Sequence, residues 1–261
     1  MNDSWRGRYN LAVEAAKRGG DFARQIYDAS FHIRNLEVIR KADDSPVTIA
    51  DRGAEELIRG LITKHFPQDG FLGEEFGDQP GTSGYRWIID PIDGTKSFIR
   101  HIPMWATLIG LELRGEIIAG VAYLPAMHQM YRALRGDGAY LDDCRIRVSD
   151  VAELSDALLC YSSIGWFTRN DREKQFLDLY AKTWRQRGYG DFYGFVLVAQ
   201  GSCELMVEHG VNPWDVAATM AIVQEAGGTF TDWDGTATIH RPDVLATNGK
   251  LHASALTILK G

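Results

Sequence analysis

The sequence predicts a layered α+β protein. Its element order carries that expectation: two amphipathic helices come first, a long run of short strands follows, and helices and strands then alternate to the end. Composition agrees. A hydrophobic fraction of 45% and a charged fraction of 24% are ordinary globular values, which exclude long disorder and collagen-like structure. No internal repeat, low-complexity tract or linker divides the 261 residues. A single domain over 1–261 is expected, large enough to bury its core without staples.

Residues 4–29 have helical spacing, with Tyr9, Ala12, Ala15, Ala16, Gly19, Phe22, Ala23 and Ile26 on one face. A polar, turn-rich stretch from Lys41 to Thr48 ends that segment. The second helix has Ala50, Ala54, Leu57, Ile58, Leu61, Ile62 and Phe66 on its apolar face. Thr48 is its expected N-cap, Asp51 stands in capping-box register, and Pro67 stops it. From 70 to 161 the period becomes that of strands. Phe71–Leu72 and Arg86–Asp90 are two of them, and Trp105–Glu112 and Glu116–Tyr123 form a hairpin across Arg114-Gly115. Met130–Ala133, Gly138–Leu141 and Ala157–Tyr161 follow, with Gly136-Asp137-Gly138 as a hairpin turn. Arg172–Trp184 and Phe192–Ala199 read as helices and Cys203–Val207 as a strand. Pro213–Ala226 is a helix with Asn212 at N-cap and Pro213 at N1. Val244–Thr247 is a late strand, Asn248-Gly249 a turn, and 250–259 the last helix.

Charge and cysteine usage narrow the function classes. The chain has 35 acidic residues against 28 basic ones, a formal charge of −7, and no basic stripe of the kind nucleic-acid binding needs. Cys144, Cys160 and Cys203 are odd in number, far apart and without a CxxC pair, so they read as small hydrophobes. The N-terminus has no apolar signal-peptide core, and no apolar run approaches the ~18 residues of a membrane span. A cytoplasmic location is the simplest expectation. The histidines make no HxH or HExxH spacing, and neither a Cys-x₅-Arg loop nor a GxGxxG is present.

The most informative stretch is Trp87-Ile88-Ile89-Asp90-Pro91-Ile92-Asp93-Gly94-Thr95-Lys96-Ser97-Phe98. An apolar strand runs into two aspartates three residues apart, Pro91 keeps the chain extended, and Gly94 lets it turn. Two carboxylates held this way suit a hard divalent cation, which takes oxygen ligands. A short helix begun at Thr95–Ile99 would turn free N–H groups towards the same region, where a phosphate would sit. A bare Asp-x-x-Asp-Gly is ordinarily an Asx-rich turn; the full twelve-residue run is far more specific. Glu74 and Glu75 lie on a glycine-flanked turn, Gly73-Glu74-Glu75-Phe76-Gly77, where solvated charges are the ordinary explanation. Asp215, in Asn212-Pro213-Trp214-Asp215, lies in the first turn of a helix, where the macrodipole favours a negative charge and a ligand would be held rigidly. Thr231-Asp232-Trp233-Asp234-Gly235-Thr236 matches the DxDGT nucleophile motif of haloacid-dehalogenase phosphatases. That motif needs further Lys and Asp motifs well downstream, and only 25 residues follow Thr236, so it reads as a turn.

Asp90-Pro91-Ile92-Asp93-Gly94-Thr95, Gly73-Glu74-Glu75 and Trp214-Asp215 together resemble the inositol monophosphatase superfamily of magnesium-dependent, lithium-sensitive phosphatases. Lys41…Ser45-Pro46-Val47-Thr48-Ile49-Ala50-Asp51 fits that family's N-terminal motif, and Gly227-Gly228 follows the last site helix. The motifs stand in family order over residues 41 to 228. The implied fold is the five-layer αβαβα sandwich of sugar phosphatases, with a metal-site half at roughly 1–150 and a substrate-completing half at roughly 151–261. Gly190-Asp191-Phe192-Tyr193-Gly194, Asn212–Ala218 and Asp93–Phe98 resemble the histidinol-phosphate phosphatase branch in particular. Lys96-Ser97 stands where inositol-specific members more often have Thr-Asn.

The resemblance implies site roles. Glu74, Asp90 and the carbonyl of Ile92 would hold a first Mg²⁺. Asp90 would bridge to a second, completed by Asp93 and Asp215, and a third could sit by Glu74. Such cations neutralise phosphate charge and lower the pKa of water. Asp51 and Thr95 would orient or deprotonate the attacking water, with Glu74 an alternative base, and the N–H groups of Gly94 and Thr95 would cradle the phosphate. Hydrolysis would be direct, without a phosphoenzyme. Asp191 and Glu208 stand where family members contact the organic part of the substrate, and two acids suit a cationic alcohol such as histidinol better than a polyol. Arg187 is the nearby basic candidate, and Lys96 either steers phosphate or, the preferred reading, is a solvated lysine on a surface turn. Histidinol phosphate is thus the expected substrate. Inositol 1-phosphate and adenosine 3′,5′-bisphosphate are alternatives, and an RNA-linked regulatory protein of the same fold is the non-enzymatic alternative. The expected partners are a small phosphorylated metabolite and, by resemblance, a second copy in a homodimer, with neither membrane nor nucleic acid. The seven acids given roles here equal the acidic surplus, so the −7 reads as a concentrated site charge that bound cations would cancel.

Overall fold

Helix α1 (Asp3–Ile33) and helix α2 (Ile49–His65) are joined through a short antiparallel pair, β1 (Val38–Arg40) with β2 (Pro46–Thr48). The computed structural model describes residues 3–33, 38–40 and 46–261, with side chains over 5–29 and 49–261. Residues 41–45 of the expected N-terminal motif, and the Thr48 side chain, lie outside the described residues.

The next elements are β3 (Gly70–Gly73), β4 (Gly77–Gln79), β5 (Tyr85–Asp93), α3 (Thr95–Phe98), β6 (Ala106–Leu113), β7 (Glu116–Leu124), β8 (Gln129–Leu134), β9 (Gly138–Leu141) and β10 (Cys144–Ile146). They form a sheet of order β10-β9-β8-β7-β6-β5-β3-β4, antiparallel except where β3 pairs with β5. The chain then runs through β11 (Leu158–Tyr161), α4 (Ile164–Arg169), α5 (Glu173–Tyr180), β12 (Arg185–Arg187), α6 (Asp191–Ala199), β13 (Leu205–His209), α7 (Pro213–Glu225), β14 (Thr229–Thr231), β15 (Asp243–Thr247) and α8 (His252–Lys260). Their strands make a second, mixed sheet of order β12-β11-β13-β15-β14.

Burial puts these elements in five layers, as the family resemblance implied. Tyr9, Ala12, Ala15 and Ala16 of α1 and Ile58 and Ile62 of α2 pack on Trp87, Ile89, Ile109, Leu111 and Val121 of the large sheet. On its other face Ile88, Leu108 and Ala122 meet α6 and α7, which fill the space between the sheets. Phe176, Leu179, Ala255 and Leu259 of α5 and α8 cover the outer face of the second sheet at Leu159, Leu205, Val207 and Leu245. Helix α7 is buried at every position from Val216 to Val223, as a helix between two sheets must be. It lies against glycines. A Cβ on Gly120 of β7 would meet the Ala218 carbonyl oxygen at 2.1 Å, and one on Gly110 of β6 would meet the Ala217 Cβ at 2.7 Å.

The β6–β7 hairpin turns through Arg114 (φ 52°) and Gly115 (φ 87°), the paired positive values that suit the twist of its strands. The helix expected over Arg172–Trp184 is shorter, ending at Tyr180. The Tyr180 carbonyl accepts the Thr183 hydroxyl and the Gln186 side-chain amide, both at 2.9 Å, so the chain is capped there. Arg185–Arg187 then pairs parallel with β11. Among the described residues no helix is long and apolar enough to cross a membrane.

Candidate functional site

Asp90 and Asp93 are three apart on β5, and on a regular strand they would point to opposite faces. The pairing of β5 with β6 breaks between them: Asp90 stands opposite Leu108 and Asp93 opposite Ala106. This bulge, held by the Thr107 hydroxyl donating to the Pro91 carbonyl at 2.8 Å, brings both carboxylates to one side. Asp215 comes from the first turn of α7. Oxygens of Asp90, Asp93 and Asp215 lie within 4.8 Å of one another.

Each of the three has one oxygen fixed by a backbone N–H. Ile92 donates to Asp90 Oδ1 at 3.0 Å, Phe192 to Asp93 Oδ2 at 2.6 Å, and Asn212 to Asp215 Oδ2 at 2.7 Å, the last being half of a capping box. The rotamers are set before any ligand arrives. Burial, and then the charges of Glu74, Asp93, Asp215 and Asp51, push Asp90 well above the usual carboxylate range. Burial, then Asp191 and Asp215, do the same to Asp93, and burial raises Asp215 to about 7. Two buried acids and a half-buried third that repel one another and offer only hard oxygen donors fit a divalent cation, which would replace their protons.

Glu74 joins the cleft from the turn between β3 and β4, its N–H donating to the Ile89 carbonyl at 3.2 Å. That turn is clamped from α2. Glu55, fully buried, accepts the Glu75 N–H on Oε2 at 2.8 Å and Arg59 Nε on Oε1 at 2.7 Å, while Arg59 also donates to the Gly77 carbonyl at 2.7 Å. Asp51 is buried one turn earlier on the same helix, close enough for its charge to act on Asp90, but it is not part of the cleft wall.

Gly94 has a left-handed backbone (φ 82°), which starts α3 immediately after β5. A Cβ there would meet the Met104 carbonyl at 2.8 Å and Asp191 Oδ2 at 3.5 Å. The Thr95 hydroxyl donates to the Ile92 carbonyl at 2.9 Å. Asp191 is itself left-handed (φ 53°), a conformation aspartate tolerates better than most residues, and it begins α6. Burial raises its carboxyl, and Lys96 opposes that rise. Lys96 is exposed, as expected, yet it stands at the cleft mouth and is the one lysine or arginine among the described residues lining it.

The far end of the cleft is built by the second sheet. Glu208, on β13, is buried, and burial pushes its carboxyl up to about 8. Its Oε1 accepts the Ser162 hydroxyl at 2.8 Å and the His209 N–H at 3.1 Å, whereas Oε2 is buried without a hydrogen-bond partner. The N–H groups of Gly210 and Val211 both donate to the Pro242 carbonyl, at 2.7 and 3.1 Å. The Ser162 hydroxyl and these backbone N–H groups are thus spent internally, which leaves Glu208 Oε2 and the equally buried, unpartnered His209 Nδ1 as the wall's unused buried polar atoms. Ser162, Trp166, Phe195 and Val211 line it and went unnoticed in the sequence. Arg187 does not line it: the residue sits on edge strand β12, exposed, with Nη1 donating to the Gln186 carbonyl at 2.9 Å.

The fold and cleft set a cluster of three carboxylates, of the kind that could hold a metal ion, between the two sheets of an αβαβα sandwich. The profile of the inositol monophosphatase family matches residues 5–260. The chain is 41% identical over 254 residues to the histidinol-phosphatase of Mycobacterium tuberculosis, covering 95% of this chain and 96% of that one. It is 43% identical over 238 residues to the histidinol-phosphatase of Streptomyces coelicolor, covering 88% and 89%. Among solved structures, the extragenic suppressor protein suhB of Bartonella henselae superposes with a TM-score of 0.87 at 32% identity, covering 96% and 97%. The chain belongs to the inositol monophosphatase family. That family is metal-dependent, in keeping with the acidic cluster.

Proposed function

We propose that this protein is a phosphoric monoester hydrolase that converts histidinol phosphate and water to histidinol and phosphate, using Mg²⁺. The observation that carries the substrate reading is the far wall of the cleft. It presents Glu208 with an unpartnered buried oxygen, and Asp191 beside it, while the Ser162 hydroxyl and the N–H groups of His209, Gly210 and Val211 are already used. Histidinol brings an ammonium group and a protonatable imidazole; beside the buried Glu208 and Asp191 these cations hold the carboxyls in their charged, accepting form, which a neutral polyol cannot do. The similarity to two histidinol-phosphatases supports the same reading.

Asp90, Asp93 and Asp215, with Glu74 and the Ile92 carbonyl, would hold two or three Mg²⁺ ions. When bound, Mg²⁺ neutralises phosphate charge and lowers the pKa of water. The chain's own residues do the rest. The N–H groups of Gly94 and Thr95 receive the phosphate at the turn out of β5. Asp51 and Thr95 orient the attacking water: the Thr95 hydroxyl already donates its hydrogen bond to the Ile92 carbonyl, so towards that water it is a hydrogen-bond acceptor. Glu74 is the alternative base. Asp191 and Glu208 hold the amino alcohol, and Lys96 steers the anionic ester to the mouth. A homodimer and a cytoplasmic location belong to the same reading, the first open to light scattering.

The test is phosphate release from histidinol phosphate, inositol 1-phosphate and adenosine 3′,5′-bisphosphate, with and without Mg²⁺. Histidinol phosphate should turn over fastest and only with the metal. Faster turnover of inositol 1-phosphate would remove the substrate assignment.

A further inference from the structure

Two large aromatic side chains, Trp166 and Phe195, line the recognition end of the cleft without a catalytic or metal role; Phe195 is buried in the core, and Trp166 is the accessible one. Trp166, on α4, lines the cleft half-buried. Its ring lies directly on the backbone just after Glu208. Gly210 has φ 85°, and a Cβ there would come within 2.9 Å of Trp166 Cε3 and 3.1 Å of Cδ2. Only a glycine admits the indole at this distance. The Arg169 guanidinium lies over the same ring, 5.4 Å from its centroid, and Asn170 Nδ2 donates to the Trp166 carbonyl at 2.7 Å, so helix and ring are held together. The indole and the unpartnered Glu208 oxygen thus belong to one wall, separated by two residues of backbone.

We propose that Trp166 is a specificity-determining residue whose indole stacks on the planar nitrogen heterocycle of the substrate. This rests on the substrate reading above and adds the group that selects the ring. The exposed Arg169 guanidinium shows that the indole takes a planar cation over its ring; a protonatable imidazole displaces that side chain and gains the same attraction, and a puckered polyol gains little. The acids of the wall recognise charge on any amino alcohol; the indole distinguishes an amino alcohol with a ring from one without.

The experiment compares kcat/KM for histidinol phosphate with that for the phosphate ester of 2-aminopropan-1-ol, which keeps the amino alcohol and lacks the ring, in saturating Mg²⁺. Trp166→Leu should lower the ratio of the two values about tenfold, and Trp166→Phe should lower it about threefold or less. An unchanged ratio in Trp166→Leu overturns the proposal. Melting temperatures check that both variants fold, and Trp166→Phe, which keeps an aromatic volume, carries the comparison if the leucine variant does not. Should the wild type fail to hydrolyse histidinol phosphate, the substrate reading falls, and a fluorescence titration with histidinol decides the ring site separately. Saturable quenching in the wild type that is lost in Trp166→Phe sustains it; quenching that is absent, or equal in both proteins, overturns it.

Discussion

Replacing Asp90 with asparagine should abolish activity and yet make the metal-free protein harder to melt. Asp90 has the most like-charged neighbours, with Glu74, Asp93, Asp215 and Asp51 all raising its carboxyl after burial does. At the outer limit of 4.8 Å within the triad, each ionised pair repels by about 3.5 kcal/mol at an effective dielectric of about 20. Three such pairs approach the roughly 5–15 kcal/mol that hold a domain folded. Without metal the cluster must therefore keep protons. The sign follows: a carboxyl whose folded pKa is raised stabilises at low pH, and that contribution is lost as pH rises towards the folded value. For Asp215, raised from 3.8 to about 7, stability falls by about 3 kcal/mol between about pH 5 and pH 8. In a chain of this size that is a drop in Tm of roughly 5–10 °C. Thermal melts in chelator should show it, and saturating Mg²⁺ should largely remove it, because the cation replaces the protons. Asp90→Asn keeps an oxygen for the Ile92 N–H and loses the charge. In chelator at pH 8 it should melt several degrees above the wild type, with little further rise on adding Mg²⁺. A wild-type Tm that is flat with pH in chelator, or a full Mg²⁺ rise in Asp90→Asn, would refute the reasoning.

Three further outcomes follow from the geometry. Glu208, at about 8, is mostly neutral at pH 7, and its charged form is the one that holds a cation. KM for histidinol phosphate should fall by up to roughly tenfold as pH rises through about 8, and Glu208→Gln should flatten that dependence. Gly120→Ala sets a methyl 2.1 Å from the Ala218 carbonyl, so α7 must shift. Differential scanning calorimetry should record about 2 kcal/mol of lost stability, and the Mg²⁺ needed for half-maximal activity should rise because Asp215 travels with the helix. Asp232 accepts the N–H groups of Asp234 at 3.0 Å and Thr236 at 2.7 Å, which makes it the anchor of a turn. Asp232→Ala should cost about 2 kcal/mol of stability while kcat/KM stays unchanged; a matching loss of activity would revive the nucleophile reading.

The large elements were legible because their burial is periodic. β5, β6 and β7 are long runs with a turn between them that demands positive φ, and α7 has both its N-cap and its proline. Strands β4, β10 and β12 were not, since three residues at a sheet edge leave no alternation to read. At the site, the carboxylates were visible as letters, but their convergence was not. Spacing alone puts Asp90 and Asp93 on opposite faces, and the bulge that reverses this is held by Thr107, sixteen residues beyond Pro91. Glu55 and Arg59, four residues apart on α2, went unremarked in the sequence; their grip on the glutamate turn exists only once β3 and β4 lie beside α2. Trp166 was hidden for a similar reason. The signal that marks it is a glycine at 210, and nothing in the intervening sequence ties the two together.

Helix α7 has one further consequence. It has no polar side to show to water along Val216–Val223, so it can settle only when both sheets are in place. The third carboxylate arrives with it. A fragment ending near residue 150 would retain Asp90 and Asp93 on their bulge but would lack the acid that closes the cluster, and the complementary fragment would hold Asp215 on a helix with nowhere to dock. On the proposed function, neither piece alone would complete the cation site. Cation uptake would then be a readout of complete assembly, one that two separately expressed pieces should recover only after they associate.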